Sequence, residues 1–508
     1  MMSMDKIDRK HSRLLDVYLW SEHQGLSSLC DELWEENFKH DQLNNTNSTK
    51  YKKMFKLVVL NLYVVWLEDE TLAVGLSMSP NEYKLGSRYS QLFISRKIIP
   101  IVRKMHKKGL IDLLRGSEQS GKTTRIRAAD CLTTAFKQLN LCPMFDLAPN
   151  FLDRNFIILQ ETIKVNGKVK KKIRHEYDDT DATVAMQNQM FKYNALLNQT
   201  HIDIPTLKEP VILHKGNRIQ VNHLKKVVER IFYRGSFDYG GRLHGGFWQE
   251  VGSEWRSKIY MNGGATVEVD FSSYHIAMLY GLMGIKDLPK DCYTLGNFSL
   301  EGYTKKNMRD LVKALALRLI NADSEEAVIN SLHMSYKTKS ESLTKNDIKQ
   351  VIKAFKEQHT PIQEYFCSDV GVKLMKLDGE ICCQIVNEFT LRERPILSVH
   401  DSFIVHLEDT LLLKEQMDKA VSDVIGCKIA MTQDFVGLDE ISVDDDIKAN
   451  ITPPKEITKE YKERLRKHEK WLLSFGSLLQ TNKVQPSLLK TLELSVHEEN
   501  RRSSSKSA

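Results

Sequence analysis

The chain has 508 residues and a mass of 58.6 kDa, with 41% hydrophobic residues, 27% charged residues and a net charge of +7. At about 150 residues per domain, this length indicates two to four domains and excludes a single small binding module. The composition is typical of a globular protein and excludes a disordered or fibrous one. The longest apolar run, 57–67, is shorter than the roughly 20 residues that cross a bilayer, so no membrane partner is expected.

The N-terminal residues are charged and no apolar run follows them. This predicts a cytoplasmic protein, or one in the nucleic-acid-containing compartment of a host cell. The eight cysteines include no CxxC pair, and no histidine lies at zinc-ligand spacing, so neither disulfide bonds nor a structural zinc is expected. Basic residues crowd into 96–108, 122–127 and 164–174, which suggests a surface that faces a polyanion.

Residues 1–130 are predicted to form a helical region that binds nucleic acid, with a polar break at 40–50. A basic amphipathic helix over 98–108 is followed by two strand-like runs, 110–116 and 123–129. A basic helix followed by a basic hairpin is the pattern of a winged helix, in which the hairpin contacts phosphates. The residues predicted to make these contacts are Lys122, Arg125 and Arg127.

The tip of this hairpin also matches the P-loop pattern, as GSEQSGKT over 116–123. In that interpretation Lys122 binds the β and γ oxygens of a nucleotide and Thr123 holds magnesium. The residues that follow alternate with a period of two, whereas a P-loop needs an immediate helix. The winged-helix interpretation is therefore favoured, and a P-loop ATPase that uses Lys122 is kept as an alternative.

Residues 131–227 are predicted to be a thumb-like connecting region that contains a basic hairpin. Asn166 and Gly167 lie between two strand-like runs over 156–174, which is the strongest short-range signal for a hairpin. The second arm could lie along a nucleic-acid backbone, or its charge could keep an exposed sheet edge soluble. The candidate nucleic-acid-binding residues of this arm are Lys170, Lys171 and Lys172.

Two segments in the second half of the chain each end an apolar strand on an acid. A β-branched run ends at Asp270 and a helical pattern follows it, and His400, Asp401 and Ser402 lie between two apolar runs at a predicted hairpin tip. Taken singly, Asp270 could cap a helix and Asp401 could be a turn residue. Taken together, two such acids indicate paired carboxylates that bind two Mg²⁺ ions, for which Mn²⁺ could substitute.

These segments resemble motifs of the superfamily of family A DNA polymerases and phage or mitochondrial-type single-subunit RNA polymerases. Residues 270–275 resemble motif A and residues 399–403 resemble motif C. Between them, Arg309 and Lys313 match the Arg-x-x-x-Lys of motif B, and four residues apart on a helix they could bind a triphosphate together. Upstream, the segment that ends at Arg242 resembles the Asp-x-x-Gly-Arg element that contacts the template or hybrid backbone.

The resemblance covers about residues 228 to 440 and implies an α+β fold, a right-hand polymerase palm with an antiparallel sheet and helical fingers and thumb. Palm and fingers are expected at 228–450, and a charged helix and a tail at 451–508. The implied partners are DNA template and primer and nucleoside triphosphates, with a monomeric chain and replication proteins as further candidates. The implied site residues are the metal ligands Asp270 and Asp401, the nucleotide-binding Arg309, Lys313, His275 and Asn321, and the nucleic-acid-binding Arg242 and His400.

The chain departs from the family pattern at three places. Asn321 stands where the fingers helix normally carries Tyr, and His275 stands where DNA polymerases place a Glu that blocks the ribose 2′-hydroxyl. Motif C reads His-Asp-Ser, as in the RNA branch. The spacing of motif A favours a DNA-directed DNA polymerase without proofreading. An RNA polymerase or primase of the same superfamily would also fit these motifs, as would a non-catalytic protein that binds nucleic acid.

Overall fold

The structure is a computed structural model. The residues that it describes are 7, 11–21, 23–39, 48–83, 87–89, 94–116, 123–139, 148–149, 154–165, 168–221, 225–286, 288–336, 343–435 and 457–480. The chain divides into two compact units, one formed by residues 1–155 and 463–508 and the other by residues 156–462. None of the helices in the described ranges is long and apolar enough to cross a membrane.

The first unit combines helices with short strands. Its elements are β1 (Ser12–Leu14), β2 (Leu19–Trp20), α1 (Gln24–Phe38), α2 (Ser48–Glu68), β3 (Ala73–Leu76), α3 (Ile98–Lys107), β4 (Ile111–Leu114), β5 (Thr124–Ala128), α4 (Asp130–Gln138) and β6 (Ala148–Pro149).

Helix α2 forms the centre of the core of the first unit, and its apolar run is buried, as predicted, except at its end, where Leu67 is exposed. The rings of Trp34 and Phe38 on α1 stack at 4.8 Å, and Phe55 of α2 lies edge-on to both. The helices predicted on the two sides of the polar break are therefore confirmed as α1 and α2. The predicted polar break at 40–50 lies mostly outside the described residues.

The same region also contains the short strands β1, β2 and β3, which the sequence did not predict. Strand β3 pairs with β1 and β5, and β2 pairs with β6. Strands of two to four residues are too short to show a hydrophobic period. Most of their partners lie far along the chain, which a local sequence window cannot reveal.

The basic helix and hairpin predicted over 98–129 form as α3, β4 and β5, with Ile111 opposite Ala128. Strand β5 also pairs with β3, and the four-stranded sheet has the order β1-β3-β5-β4. Because β5 is an inner strand, the hairpin is not the free two-stranded wing that the sequence predicted. The buried strand β3 pairs with the side of β5 that would be exposed in a free wing.

The second unit carries two larger sheets and most of the helices. Its elements are β7 (Ile157–Val165), β8 (Lys168–Arg174), α5 (Asp181–Gln199), β9 (Ile202–Asp203), β10 (Val211–His214), β11 (Asn217–Gln220), β12 (Val228–Phe232), β13 (Gly240–Gly245), α6 (Ser253–Arg256), β14 (Tyr260–Met261), β15 (Gly264–Phe271), α7 (Tyr274–Leu282), α8 (Lys305–Asn321), α9 (Glu325–Tyr336), α10 (Lys345–Gln358), α11 (Gly371–Leu391), β16 (Ile396–Val399), β17 (Ser402–His406), α12 (Thr410–Ile425) and β18 (Met431–Phe435). Helix α13 (Lys459–Gln480) begins in this unit and continues into the first.

Strand β15 is the centre of the larger sheet. It pairs antiparallel with β17 through residues 266–270 and with β18 through residues 267–271, and β16 pairs with the far side of β17. Val267, Val269 and Phe271 alternate into the core. A mixed fold of helices and antiparallel sheets is thus confirmed, while its division into palm, fingers and thumb stays a prediction.

A second, four-stranded sheet has the order β13-β12-β7-β8. The predicted basic hairpin is confirmed as the antiparallel pair β7 and β8, and its tip, Asn166 and Gly167, lies outside the described residues. Strand β12 joins β7 in parallel and β13 antiparallel. The basic arm therefore belongs to the same sheet as the strand that carries Arg242.

Helix α11 lies directly against β13. A Cβ atom on Gly379 would stand 2.2 Å from the carbonyl oxygen of Gly241, a separation that no side chain tolerates. Gly240 and Gly241 have φ values of 80° and 88°, a left-handed conformation that favours glycine. These glycines allow the closest approach between the helix and the strand.

Candidate active site

The sheet brings the two predicted metal ligands to neighbouring positions. Asp270 is opposite Ser402 in the register of β15 and β17, and Asp401 is the residue before Ser402. The backbone N–H of Phe271 donates a hydrogen bond of 3.2 Å to the carbonyl oxygen of Asp401. Both acidic residues are partly exposed. Two carboxylates that are far apart in the sequence thus lie at the same end of the sheet.

The hairpin that carries Asp401 is tightly anchored. His400 and Asp401 form the turn between β16 and β17, as predicted, and His400 has a φ of 56°. On the outer side of β16, the indole N–H of Trp248 and the side-chain amide of Gln249 donate to the carbonyl oxygen of Ser398, at 3.0 and 2.9 Å. These bonds give a backbone carbonyl of the edge strand β16 its hydrogen-bond donors, and they fix the base of the turn.

A third acid on the same face, Glu268, is neutralised. The Nε of Arg256 donates to both carboxylate oxygens of Glu268, at 3.1 and 2.9 Å. The hydroxyl of Ser402 donates to Glu268 at 2.5 Å. Glu268 is therefore engaged in fixing β17 opposite β15.

The chemistry of the donors at these strand ends fits magnesium. Carboxylate oxygens are the protein ligands that Mg²⁺ prefers, and it commonly takes only one or two of them, with water and substrate phosphates completing the shell. Within the described ranges, no cluster of three or more His, Cys, Asp or Glu residues is arranged to hold a metal. Asp270 and Asp401 match the pattern of one or two carboxylates completed by water and phosphates, and they are the residues that would hold the ions.

Arg309 and Lys313 are exposed on one face of α8, while Leu311, Leu315 and Leu319 are buried on the other, as predicted. The helix begins after Thr304, whose side chain accepts the N–H of Asn307 as an N-cap. It ends at Asn321. The two cations therefore lie one helical turn apart and face solvent.

A short loop orients Arg309. The Nε of Arg309 donates a hydrogen bond of 2.7 Å to Asp291, and its guanidinium lies 5.5 Å from the centre of the Tyr293 ring. Burial raises the pKa of Tyr293. The charge of Asp401 also raises it, and the charge of Arg309 lowers it. Tyr293 thus lies within electrostatic range of the predicted metal ligand and of the predicted nucleotide-binding cation.

Arg242 is held by two side chains. Its Nε donates to the buried Asp378 of α11, and its Nη2 donates a hydrogen bond of 2.8 Å to the Nε2 of His275. Burial lowers the pKa of His275 to about 4, and the charge of Arg242 acts in the same direction. Burial raises the pKa of Asp378 to about 7, against the effect of Arg242. Arg242 was predicted to bind nucleic acid, and the structure engages it between two other elements of the site.

His400 is exposed at the turn, and its ring centre lies 6.2 Å from that of His244 on β13. The Nε2 of His244 is 2.9 Å from the hydroxyl of Tyr233. Burial lowers the pKa of His244 to about 4, and Lys172 is among the charges that lower it further. The exposed Lys172 of β8 is therefore near enough to act on the strand that carries Arg242.

Asn321 lies at a helix junction. Its side-chain amide donates 2.7 Å to the carbonyl of Leu317, and its Oδ1 occupies the space that a Cβ on Gly371 would need. The structure thus gives Asn321 contacts with its own helix and with the start of α11. Its predicted contact with a nucleotide stays a prediction.

The other predicted nucleic-acid contacts are only partly described. In the first unit, the Nε of Arg125 donates 2.6 Å to Ser12, and Arg127 forms an ion pair of 3.3 Å with Asp112. Lys122 lies outside the described residues, as do the side chains of Lys170 and Lys171, whose backbone forms part of β8. A strand, β5, follows the P-loop-like segment, so that the helix required for a P-loop is missing there.

Two acids of the site, Asp378 and Asp291, were missed in the sequence. Asp378 had a signal, because it stands in the apolar stripe that Leu374, Ile381 and Ile385 form along α11, where an unpaired acid would be costly. Asp291 had none, since it is one loop acid among many and only the fold brings Arg309 to it.

No family model matches the chain, and no curated protein matches it. Among solved structures, it is similar to the POL domain of Pol1 from M. smegmatis in complex with a DNA primer-template and dNTP, at 12% identity and a TM-score of 0.29. The likeness covers 41% of this chain and 46% of that one, so it spans less than half of either. A TM-score this low establishes no shared fold, and the function proposed for this chain depends on its own geometry.

Proposed function

We propose that the protein is a template-directed nucleotidyltransferase, and specifically a DNA-directed DNA polymerase without proofreading. The 3′-hydroxyl of a primer loses its proton to solvent and its oxygen attacks the α-phosphorus of a nucleoside triphosphate. A phosphodiester bond forms, the bond from the α-phosphorus to the bridging oxygen of the β-phosphate breaks, and pyrophosphate leaves. The observation that carries this proposal is the register of β15 and β17, which sets Asp270 beside Asp401 at one end of these strands. Magnesium ions held there would activate the hydroxyl and neutralise the leaving pyrophosphate.

Two cations of helix α8 suit a triphosphate. Arg309 and Lys313 present two positive charges on one exposed helix face. Asp291 holds the Nε of Arg309, which leaves the terminal nitrogens of the guanidinium for phosphate oxygens. In the proposed reaction these cations bind the triphosphate and stabilise the charge that develops on the leaving group.

Nucleic acid binding is assigned to the sheet that carries the basic arm. Lys172 is opposite Thr162 and Arg174 is opposite Gln160, so the two cations share one face of the sheet. Both residues are exposed. In the proposed function they contact the phosphate backbone, which supplies affinity without base specificity.

The test is extension of a labelled primer on a DNA template. Asp270→Asn and Asp401→Asn should each reduce extension by at least a thousandfold, because each removes a charged metal ligand. Asp423→Asn is a matched control, since it changes an exposed carboxylate on α12 in the same way and should extend at the wild-type rate. Extension by both site variants at the wild-type rate would refute the proposal.

The same assay settles the choice of sugar and the need for a primer. Deoxyribonucleotides and ribonucleotides are supplied separately, each with and without primer. We expect deoxyribonucleotide addition that depends on primer. Ribonucleotide products would assign the chain to RNA synthesis, and ribonucleotide products made without primer would indicate a primase or an RNA polymerase.

A further inference from the structure

Asp378 is a buried acid in the second unit whose ionised form needs compensation by the protein. It is 1% exposed, on the apolar face of α11 with Leu374 and Ile381. A charge that is removed from water strongly destabilises the fold unless a partner of opposite sign bonds to it. The partner here is the Nε of Arg242.

The backbones of this ion pair cannot move apart freely. Gly379, the residue after Asp378, packs against the carbonyl of Gly241, the residue before Arg242. The contact fixes the distance between α11 and β13 at the point where the two charged side chains meet. Arg242 is therefore held both through its side chain and through its own strand.

The other end of the guanidinium bonds to His275. An arginine nitrogen can only donate, so the Nε2 of His275 must accept in this 2.8 Å hydrogen bond. A neutral imidazole that accepts at Nε2 carries its proton on Nδ1. Among the described residues, no acceptor is bonded to this Nδ1–H. His275 lies in the first turn of α7, five residues after Asp270.

We propose that Asp378 is a positioning residue of the nucleotide site, which acts through Arg242 to hold His275 as a donor at Nδ1 for the bound nucleotide. This inference rests on the proposed function. It assigns Arg242 mainly to the orientation of His275, and it gives a role to an acid that does not itself reach the substrate. The charged and titratable groups around Asp378 are Arg242 of β13, Tyr274 of α7, Asp401 of the hairpin and Cys382 of its own helix.

The first test needs no substrate. Full-length protein labelled with ¹³C and ¹⁵N in histidine is titrated by NMR, and the signal of His275 is assigned by its loss in His275→Gln. In the wild type we expect a neutral ring with the proton on Nδ1 and a pKa well below 6.5. In Asp378→Asn, Arg242 loses its ion pair and keeps at most a weaker neutral hydrogen bond to the amide oxygen. Its hold on His275 should loosen, and we expect the pKa of His275 to rise toward 6.5 with a mixture of tautomers. An unchanged pKa and tautomer would overturn the inference.

A second variant covers the case in which Asp378→Asn does not fold. Arg242→Lys keeps a positive charge near Asp378, but a single ammonium cannot reproduce the two bonds that the guanidinium directs to Asp378 and His275. It should therefore cause the same change in the tautomer of His275. If folded Arg242→Lys keeps the wild-type tautomer, the inference is wrong.

The kinetic test separates this inference from the proposed function. If the wild type extends primers, Asp378→Asn and His275→Gln should each raise KM for the nucleotide about tenfold with a smaller change in kcat, the effect of one lost hydrogen bond. The double variant should be no worse than either single one. Additive effects would overturn the inference while leaving the polymerase assignment intact. If the wild type adds no nucleotide, the proposed function fails, and the NMR test still decides whether Asp378 holds His275.

Discussion

Asp291 accepts a hydrogen bond of 2.7 Å from the Nε of Arg309, and this bond is the link between a loop that follows α7 and the exposed cationic face of α8. Burial acts to raise the pKa of Asp291, but its hydrogen bonds, that from Arg309 foremost, lower it on balance, and the same bond raises the pKa of the Arg309 guanidinium. Asp291 therefore stays ionised at neutral pH. An ionised Asp291 restricts Arg309 to one orientation before a nucleotide arrives.

We expect Asp291→Asn to raise KM for the nucleotide about threefold and to leave kcat nearly unchanged. The reason is that an exposed ion pair contributes only modestly, on the order of 1 kcal/mol or less. Steady-state primer extension measures both constants, with Asp423→Asn as the control that should match the wild type. A large loss of kcat would assign Asp291 to the chemistry itself and contradict a purely orienting role.

The contact between α11 and β13 predicts a steric effect at Gly379. Gly379→Ala places a Cβ 2.2 Å from the carbonyl oxygen of Gly241, so the helix must move away from the strand. Alanine normally favours a helix over glycine by about 1 kcal/mol, and overpacking here should reverse the sign to a loss of about 1–3 kcal/mol. Urea unfolding of the second unit measures the change.

The matched control is Gly25→Ala, near the start of helix α1. A Cβ there meets the ring of His23 at 3.1 Å, a side chain that can shift, and lies in ordinary contact with Leu139 at 3.8 Å. We expect this variant to be neutral or slightly stabilising. If Gly379→Ala were equally neutral, the close approach of α11 and β13 would not restrict the fold.

Lys226 predicts a pH dependence of stability. It is buried, its Nζ donates to the carbonyls of Asn198 and Thr200 at 3.2 and 2.7 Å, and burial lowers its pKa to about 7. Between pH 7 and about 10.4, the value for an unfolded chain, the unfolded state binds this proton and the folded state does not. Stability should therefore rise with pH across this window.

Lys226→Met should abolish this contribution to the slope of unfolding free energy against pH, although it also lowers stability by leaving two carbonyls of the end of α5 without their donor. The neighbouring half-buried Lys225, which pairs with Glu250 at 3.6 Å, gives the control Lys225→Met, which should keep the slope. Denaturant unfolding at several pH values compares the three proteins. Equal slopes in wild type and Lys226→Met would contradict the assignment.

Lys172 predicts a salt-dependent effect on binding. If it contacts a phosphate, Lys172→Gln should weaken DNA binding to all sequences alike and reduce the slope of log K against log salt by about 1. Fluorescence anisotropy with a labelled duplex measures the slope. The informative salt range is about 50 to 200 mM. Lys349→Gln, an exposed charge on α10, is the control and should leave the slope unchanged.

The sequence was most informative where local pattern and chemistry coincide. The hairpin around His400 and Asp401 followed from two apolar runs that flank a polar turn. The strand that ends at Asp270 and the helix that carries Arg309 followed from their local residue patterns, because each is long enough to show one. It was least informative where a partner is remote. The pairing of β3 with β5 and the bond from Arg242 to Asp378 depend on tertiary contacts, and Arg242 alone gave no sign that it would face an acid 136 positions away.

Strand β15 forms hydrogen-bonded ladders on both sides through almost the same residues. This double pairing determines how far Asp270, at its end, depends on the side chains around it. A slip by one residue would turn Asp270 toward the hydrophobic interior and would break the pairing with β17 and with β18 together. The location of this carboxylate is thus set by the main chain of three strands, so its side-chain neighbours can be exchanged without displacing it.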